Sequence, residues 1–291
     1  MKFIWKKIIV TTMLATLASA ALATDDVVKV LHTGGRTGSV TNIAMEYSDE
    51  LKKTYAKVDV SGPGGCVPVL AAAARSSDPT LIIWHSIDVG NADCKKEFAK
   101  QSVVSVFVTH YLLCGRASDN PTLDNFTKNA SRVGLLYDFP FWDKWFKDMA
   151  VHSKALHTYV PVGDSGKQVL SLMSGETDWV LVNSHRAKLQ LADKKIKCVA
   201  TTNPQGELGA PFLGNTFPKF DRADLGWHVS TYVIGGSRDQ QLRVENIVKN
   251  LHKSQEFKNF LDQGNFVDYT YTTATERGKI IDRIVNQYSV K

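Results

Sequence analysis

Beyond residue 23 the chain has no apolar run near the roughly 20 residues that a membrane-spanning helix needs. That stretch therefore reads as soluble and globular. It also lacks any Cys-x-x-Cys pair, which removes the main support for thioredoxin-type redox chemistry. The four cysteines, Cys66, Cys94, Cys114 and Cys198, match no standard zinc spacing. No glycine loop is closed by Gly-Lys-Ser/Thr, and no Gly-x-Gly-x-x-Gly occurs, so neither the nucleotide nor the dinucleotide phosphate fingerprint is present. Internal repeats and low-complexity tracts are missing too. Charge of one sign is scarce. The formal +6 includes Lys2, Lys6 and Lys7, and setting those three aside leaves +3. That is too little, and too scattered, to imply nucleic acid, though it suits a small anionic ligand. No cofactor and no metal are implied.

What is present begins at the start. The three lysines precede an apolar stretch from Ile8 to Leu17, then Ala18-Ser19-Ala20 and Ala21-Leu22-Ala23, two small-x-small cleavage patterns. This has the form of a secretory signal peptide over residues 1–23, cut after Ala23 or after Ala20. The apolar core is too short for a retained anchor. No Cys follows the cleavage patterns, so lipid attachment is not suggested. Export places the mature chain in an oxidising compartment where disulfides are permitted. Three full pairings of four cysteines are possible. A Cys94–Cys114 bridge is favoured, joining a polar loop to a strand end, with Cys198 read as a buried thiol in the apolar run Ile196 to Ala200. Closing about 20 residues in this way would contribute about 3 kcal/mol.

The mature length suits one large domain or two ordinary ones. Strand and helix patterns alternate. Val27 to Leu31, Val58 to Val60 and Thr80 to Trp84 read as strands, separated by helices at Val40 to Leu51 and Val67 to Ala74. That order predicts a parallel sheet with crossovers. Residues 85–101 read as loop. Ser102 to Leu113 is long for one strand and is expected to leave one sheet and feed another. A second α/β unit follows over about 116–200, then a loop rich in Gly, Pro and Asn at 203–219. His228 to Ile234 reads as a strand, Gln240 to Lys253 and Ser254 to Asp262 as helices, and Ile280 to Tyr288 as a last helix. The C-terminal part returns to the first unit.

Three strand-to-helix junctions carry unusual residues. Thr33-Gly34-Gly35-Arg36-Thr37-Gly38-Ser39 is the first. Glycines let backbone N–H groups approach a ligand, the helix start behind them favours carboxylate or phosphate, and Arg36 adds a charged fork. Gly62-Pro63-Gly64-Gly65 repeats the pattern after the second strand. Trp84, His85 and Ser86 close the third strand on the same edge, where a parallel sheet opens onto a crevice. In the second unit, Gly163-Asp164-Ser165-Gly166-Lys167 is either a capped helix start or a second ligand-facing one. Tyr137-Asp138-Phe139-Pro140-Phe141-Trp142 places aromatics at another strand exit, as ligand cover or as core. Phe139 and Phe141 would favour a ligand with an apolar portion. An exported α/β enzyme could use His85 with a carboxylate such as Asp138, but spacing assigns it no partner carboxylate or nucleophile. An adhesive or purely structural exported protein is the third class; it would show a filled surface and no cleft.

Taken in order, these loops resemble the extracytoplasmic solute-binding receptors of the tripartite tricarboxylate transporter family. Thr33 to Gly38 falls where that family has its first Gly-Gly ligand loop. Gly62-Pro63-Gly64-Gly65 is similar to its Gly-Ala-Gly-Gly turn, and Asp78 to Ile83 to its Asp-Gly-Tyr-Thr-Leu segment. Gly163, Gly175, Asp178 and Trp179 follow its helix and strand entry. Lys197 to Thr202 and Pro211, Pro218 and Phe220 follow its later motifs. Two positions depart: Gly38 stands where an Asp is common and Asn42 where an Arg is, so no particular substrate carries over.

The resemblance implies a type II periplasmic-binding-protein-like α/β fold, two lobes around a central ligand cleft. Lobe 1 would span 24–115 and 221–291, lobe 2 would span 116–220, and hinges would lie near 114–116 and 203–225. It implies a monomeric periplasmic receptor, not an enzyme. Its partners would be a small organic carboxylate and integral membrane subunits driven by an ion gradient; an ATP-driven importer is the neighbouring alternative. The ligand set would be Thr33, Gly35, Arg36, Thr37, Gly38, Gly64, Gly65, His85, Ser86, Asp138, Phe139 and Ser165. The expected donors are the N–H groups of Thr37 and Gly38 and of Gly64 and Gly65.

Overall fold

The computed structural model describes residues 27–35, 38–85, 91–98, 103–136, 153, 155–217, 226–268, 279 and 282. The expected signal peptide, Arg36, Thr37, Ser86, the aromatic segment with Asp138 and Phe139, and the last helix lie outside these residues. Among the described residues no helix is long and apolar enough to cross a membrane.

The fold is α/β, a curled mixed sheet with flanking helices, of the type II periplasmic-binding-protein architecture. Strands β1 (Val27–His32), β2 (Lys57–Ser61) and β3 (Thr80–His85) are parallel. They are linked by helices α1 (Ser39–Leu51) and α2 (Cys66–Ala74). Each helix lays apolar residues on the sheet: Val40, Ile43, Ala44, Tyr47 and Leu51 of α1 are buried, at the spacing that puts them on one face. A short helix α3 (Ala92–Phe98) stands in the stretch read from sequence as loop. It had been obscured by four charged residues in seven and no apolar stripe.

Strand β4 (Ser105–Arg116) does what its length suggested. Its first half, Ser105–His110, pairs with β9 (Gly226–Ile234), which itself pairs with β3. Its second half, from Tyr111, pairs with β7 (Trp179–Asn183) and β8 (Ile196–Thr201) on its two sides. Beyond β7 lie β5 (Arg132–Leu135) and the edge strand β6 (Thr158–Pro161), both parallel. Two residues of β10 (Val267–Asp268) pair with β4 near Phe107. Nearly all of β4 is buried, which is why it reads as one apolar run. The remaining helices are α4 (Leu123–Lys128), α5 (Ser165–Ser174), α6 (Ser184–Ala192), α7 (Arg238–Lys253) and α8 (Gln255–Gln263).

The cysteines pair differently from expectation. The bridges are Cys66–Cys94 and Cys114–Cys198. Cys94–Cys114 is not formed, and Cys198 is no free thiol. The antiparallel register of β4 and β8 sets Cys198 directly opposite Cys114, a long-range neighbour that chain spacing does not reveal. Cys94, on α3, meets Cys66 at the first turn of α2.

Candidate functional site

Parallel strands bring their C-terminal ends to one edge, and there the glycine junctions meet. Thr33 N–H donates to the Ile83 carbonyl (3.1 Å) and the Thr33 carbonyl accepts from Gly65 N–H (3.0 Å). One residue thus ties the first junction to β3 and to the second junction. The Gly35 carbonyl accepts from Gly38 N–H (3.0 Å) and from Thr41 Oγ1 (2.7 Å), folding the first loop onto the start of α1. Gly64 and Gly65 have φ of 80° and 77°, the left-handed region that glycine enters without cost.

The Gly38 N–H is engaged by the Gly35 carbonyl within its own loop, and the Gly65 N–H by the Thr33 carbonyl. Among the described residues none accepts a hydrogen bond from the N–H groups of Ser39, Cys66 or Val67, the first residues of α1 and α2. Neither helix has a side-chain cap; Gly38 and Gly65 occupy the cap positions. By contrast α4, α5, α6, α7 and α8 are capped by Thr122, Asp164, Asn183, Ser237 and Ser254. Among the described residues, the two helix starts left without caps are those at the glycine junctions, where unpaired N–H groups and the helix dipole favour an anion.

The second unit faces this edge. A Cβ on Gly35 would lie 3.0 Å from Asp164 Oδ2, and one on Gly38 would lie 3.8 Å from the Asp164 Cβ. Gly35 and Gly38 therefore stand against Asp164, and a side chain at 35 would meet it. Asp164 Oδ1 accepts from Gly166 N–H (2.9 Å) and Lys167 N–H (3.0 Å). The start of α5 is thus closed by its own side chain, the capping alternative rather than a second anion-binding helix end. Ser39 Oγ donates to Asn183 Oδ1 (3.3 Å), and the same oxygen accepts from Arg186 N–H, so the cap of α6 also touches the start of α1.

Among the described residues, two hydroxyls at this junction have no hydrogen-bond partner. Thr33 Oγ1 and Ser165 Oγ belong to residues only 1% exposed. A buried hydroxyl left unmet costs about 1–3 kcal/mol. His85 is buried at the end of β3, opposite Val229 of β9. Among the described residues no group of three or more His, Cys, Asp or Glu is placed to hold a metal ion. The sequence does not single out Asn183 or His32 near this junction; the helix start that Asn183 caps is its only local signal.

No family model and no curated protein matches this chain. Solved structures do match over nearly the whole length. Rpa4515 of Rhodopseudomonas palustris, solved with adipate, superposes with a TM-score of 0.69 at 15% identity, covering 90% of this chain and 94% of that one. MatC (Rpa3494) of the same organism, solved with bound malate, gives 0.68 at 16% identity, covering 90% and 97%. A TctC solute-binding protein from Polaromonas gives 0.56 at 14% identity, covering 90% and 96%. At these identities the likeness is one of fold, and the fold is that of periplasmic solute-binding proteins.

Proposed function

We propose that the protein is a solute-binding receptor for a small organic carboxylate, delivering it to a membrane transporter of the tripartite tricarboxylate type. The observation that carries this is the pair of side-by-side helix starts, α1 and α2, that lack side-chain caps and follow glycine loops. A carboxylate seated there would complete the helix ends, and Thr33 and Ser165 would supply hydroxyls to it. Malate and adipate, held by two proteins of the same fold, are both small dicarboxylates, and the TctC protein and the ordered glycine motifs support the transporter class. Lobes at 24–115 with 221–291 and at 116–220 would close over the ligand, β4 forming one crossing between them. Arg36 would add a charge-assisted bond, with Thr37, Ser86, Asp138 and Phe139 completing the walls. Residues 1–23 would direct the chain to the periplasm, where it would act as a monomer without cofactor, catalysis or nucleic acid.

Calorimetry and thermal shift of the mature chain with malate, adipate, citrate, aromatic acids, amino acids, sugars and phosphate test this. Carboxylate binding is expected, and Arg36→Ala is expected to weaken it by about 2–5 kcal/mol if that bond is desolvated. Tight binding of a neutral sugar, or carboxylate binding indifferent to Arg36→Ala, would overturn the reading.

A further inference from the structure

The register of β1 on β2 pairs Leu31 with Ser61, so the next rung sets His32 beside Gly62, the first residue of the second glycine loop. The imidazole occupies the space that a side chain at 62 would need. A Cβ on Gly62 would lie 2.1 Å from Cε1, 2.5 Å from Nε2 and 2.7 Å from Nδ1 of His32. His32 is only 4% exposed although Gly62 itself is exposed, so the ring lies beneath the loop rather than in water. Burial holds the imidazole below the ordinary histidine range, and the backbone of Gly34, in the first loop, acts on it in the opposite sense. One side chain therefore touches both loops. The adjacent Thr33 ties the same two loops through its main chain, by the bond from Gly65 N–H.

Here a flat ring is wedged against a residue with no side chain. Two sets of N–H groups converge on one carboxylate only if their loops are held to within a fraction of an ångström. We infer that His32 is the positioning residue of the anion site, its ring acting as the spacer between the two glycine loops, with Gly62 a glycine in order to admit it. The inference rests on the reading of this edge as a carboxylate site.

The test uses the mature chain and four variants: His32→Ala, His32→Phe, Gly62→Ala and the double variant His32→Ala with Gly62→Ala. Amide hydrogen exchange without ligand reads the loops directly. His32→Ala is expected to speed exchange at Gly65 N–H by at least about tenfold, the size of one lost hydrogen bond, with the amides of β4 unchanged. His32→Phe, which keeps a flat ring, is expected to leave exchange at wild-type values. Gly62→Ala is expected to disturb the same amides alone but far less in the His32→Ala background, where its methyl has room. Calorimetry with malate and adipate is expected to follow the same order, with affinity lost in His32→Ala and retained in His32→Phe. Unaltered loop exchange in His32→Ala, additive effects in the double variant, or loss of affinity in His32→Phe with quiet loops would each overturn the inference. If the wild type binds neither acid, the carboxylate reading fails, while the exchange arm still decides whether His32 spaces the loops.

Discussion

At the scale of single residues, the interior holds a polar chain that no motif announced. Asp268 Oδ2 lies 2.8 Å from His252 Nδ1, His252 Nε2 lies 2.6 Å from Tyr47 OH, and Tyr47 OH lies 3.1 Å from Ser105 Oγ, itself 2.6 Å from Thr231 Oγ1. In the tautomer whose Nδ1–H donates to the Asp268 carboxylate, Nε2 accepts from the Tyr47 hydroxyl. Tyr47 then accepts from Ser105, and Ser105 from Thr231. The chain joins α7, α1, β4 and β9 through His252, which is fully buried. Each link satisfies a group that would otherwise be costly to bury.

His185 is the contrasting case. It is 8% exposed, packs edge-on against Phe260 and Phe266, and its Nδ1 has no partner. Burial first, then the charges of Arg186 and Lys188, lower its pKa from 6.5 to about 4. Above pH 6.5 the ring is neutral whether the chain is folded or not, and its contribution to stability is fully present. As pH falls from 6.5 towards 4 the unfolded chain takes up a proton that the folded protein refuses. Stability of order 3 kcal/mol is lost across that window. Urea unfolding from pH 7 to pH 4 is expected to show a shallower acid limb, by about one proton, in His185→Leu than in the wild type. His32 and His157, also lowered by burial, act in the same sense and remain in that variant.

At the scale of elements, caps and crosslinks are most of what separates the site from the scaffold. Asp164→Ala would uncap α5 at a cost of about 1 kcal/mol, read by denaturant unfolding, and would leave the N–H groups of Gly166 and Lys167 unmet. The two disulfides differ in what they hold. Of Ala92–Glu97 in α3, Cys94 alone is buried, so Cys66–Cys94 is the anchor of that helix beside the second glycine loop. Cys114–Cys198 instead staples two paired strands of the central sheet. Loop closure over separations of 28 and 84 residues contributes about 3.5 and about 4.5 kcal/mol. Cys94→Ser is therefore expected to raise proteolysis within 91–98 while most of the thermal midpoint survives. Cys198→Ser is expected to lower the midpoint more, without local cleavage there.

Most of these elements were legible beforehand because their signals are local. The apolar period of α1, the Gly175 that closes α5 and the β-branched run of β4 each act within a few residues. Helix α3 was not legible, since a short charged segment held by one cystine has no periodicity to read. The glycine junctions were legible as loops, but which of their N–H groups bond within the protein was not. Which N–H is spent inside a turn depends on the carbonyl that folds back onto it, as the Gly35 carbonyl does onto Gly38.

At the scale of the whole molecule, β4 carries one continuous sheet from the first unit into the second, so the two glycine loops and Asp164 are placed by a common frame. A receptor of the kind proposed would gain stability from its ligand by mass action. Malate or adipate at about 100 times its dissociation constant would add about 2.7 kcal/mol to unfolding. That is expected as a rise of several degrees in the thermal midpoint, smaller in Arg36→Ala at equal ligand concentration. Periodicity, glycine punctuation and the order of strands and helices were enough to read an α/β chain with its glycine loops on one edge of a sheet. They suffice because backbone propensity and apolar spacing act over a handful of residues. Pairing across the sheet was beyond them. Cys198 meets Cys114, Asp164 meets Gly35 and His32 meets Gly62 only because strands far apart in the chain are brought into register. Burial on both faces of the sheet selects that register, and no segment carries it alone.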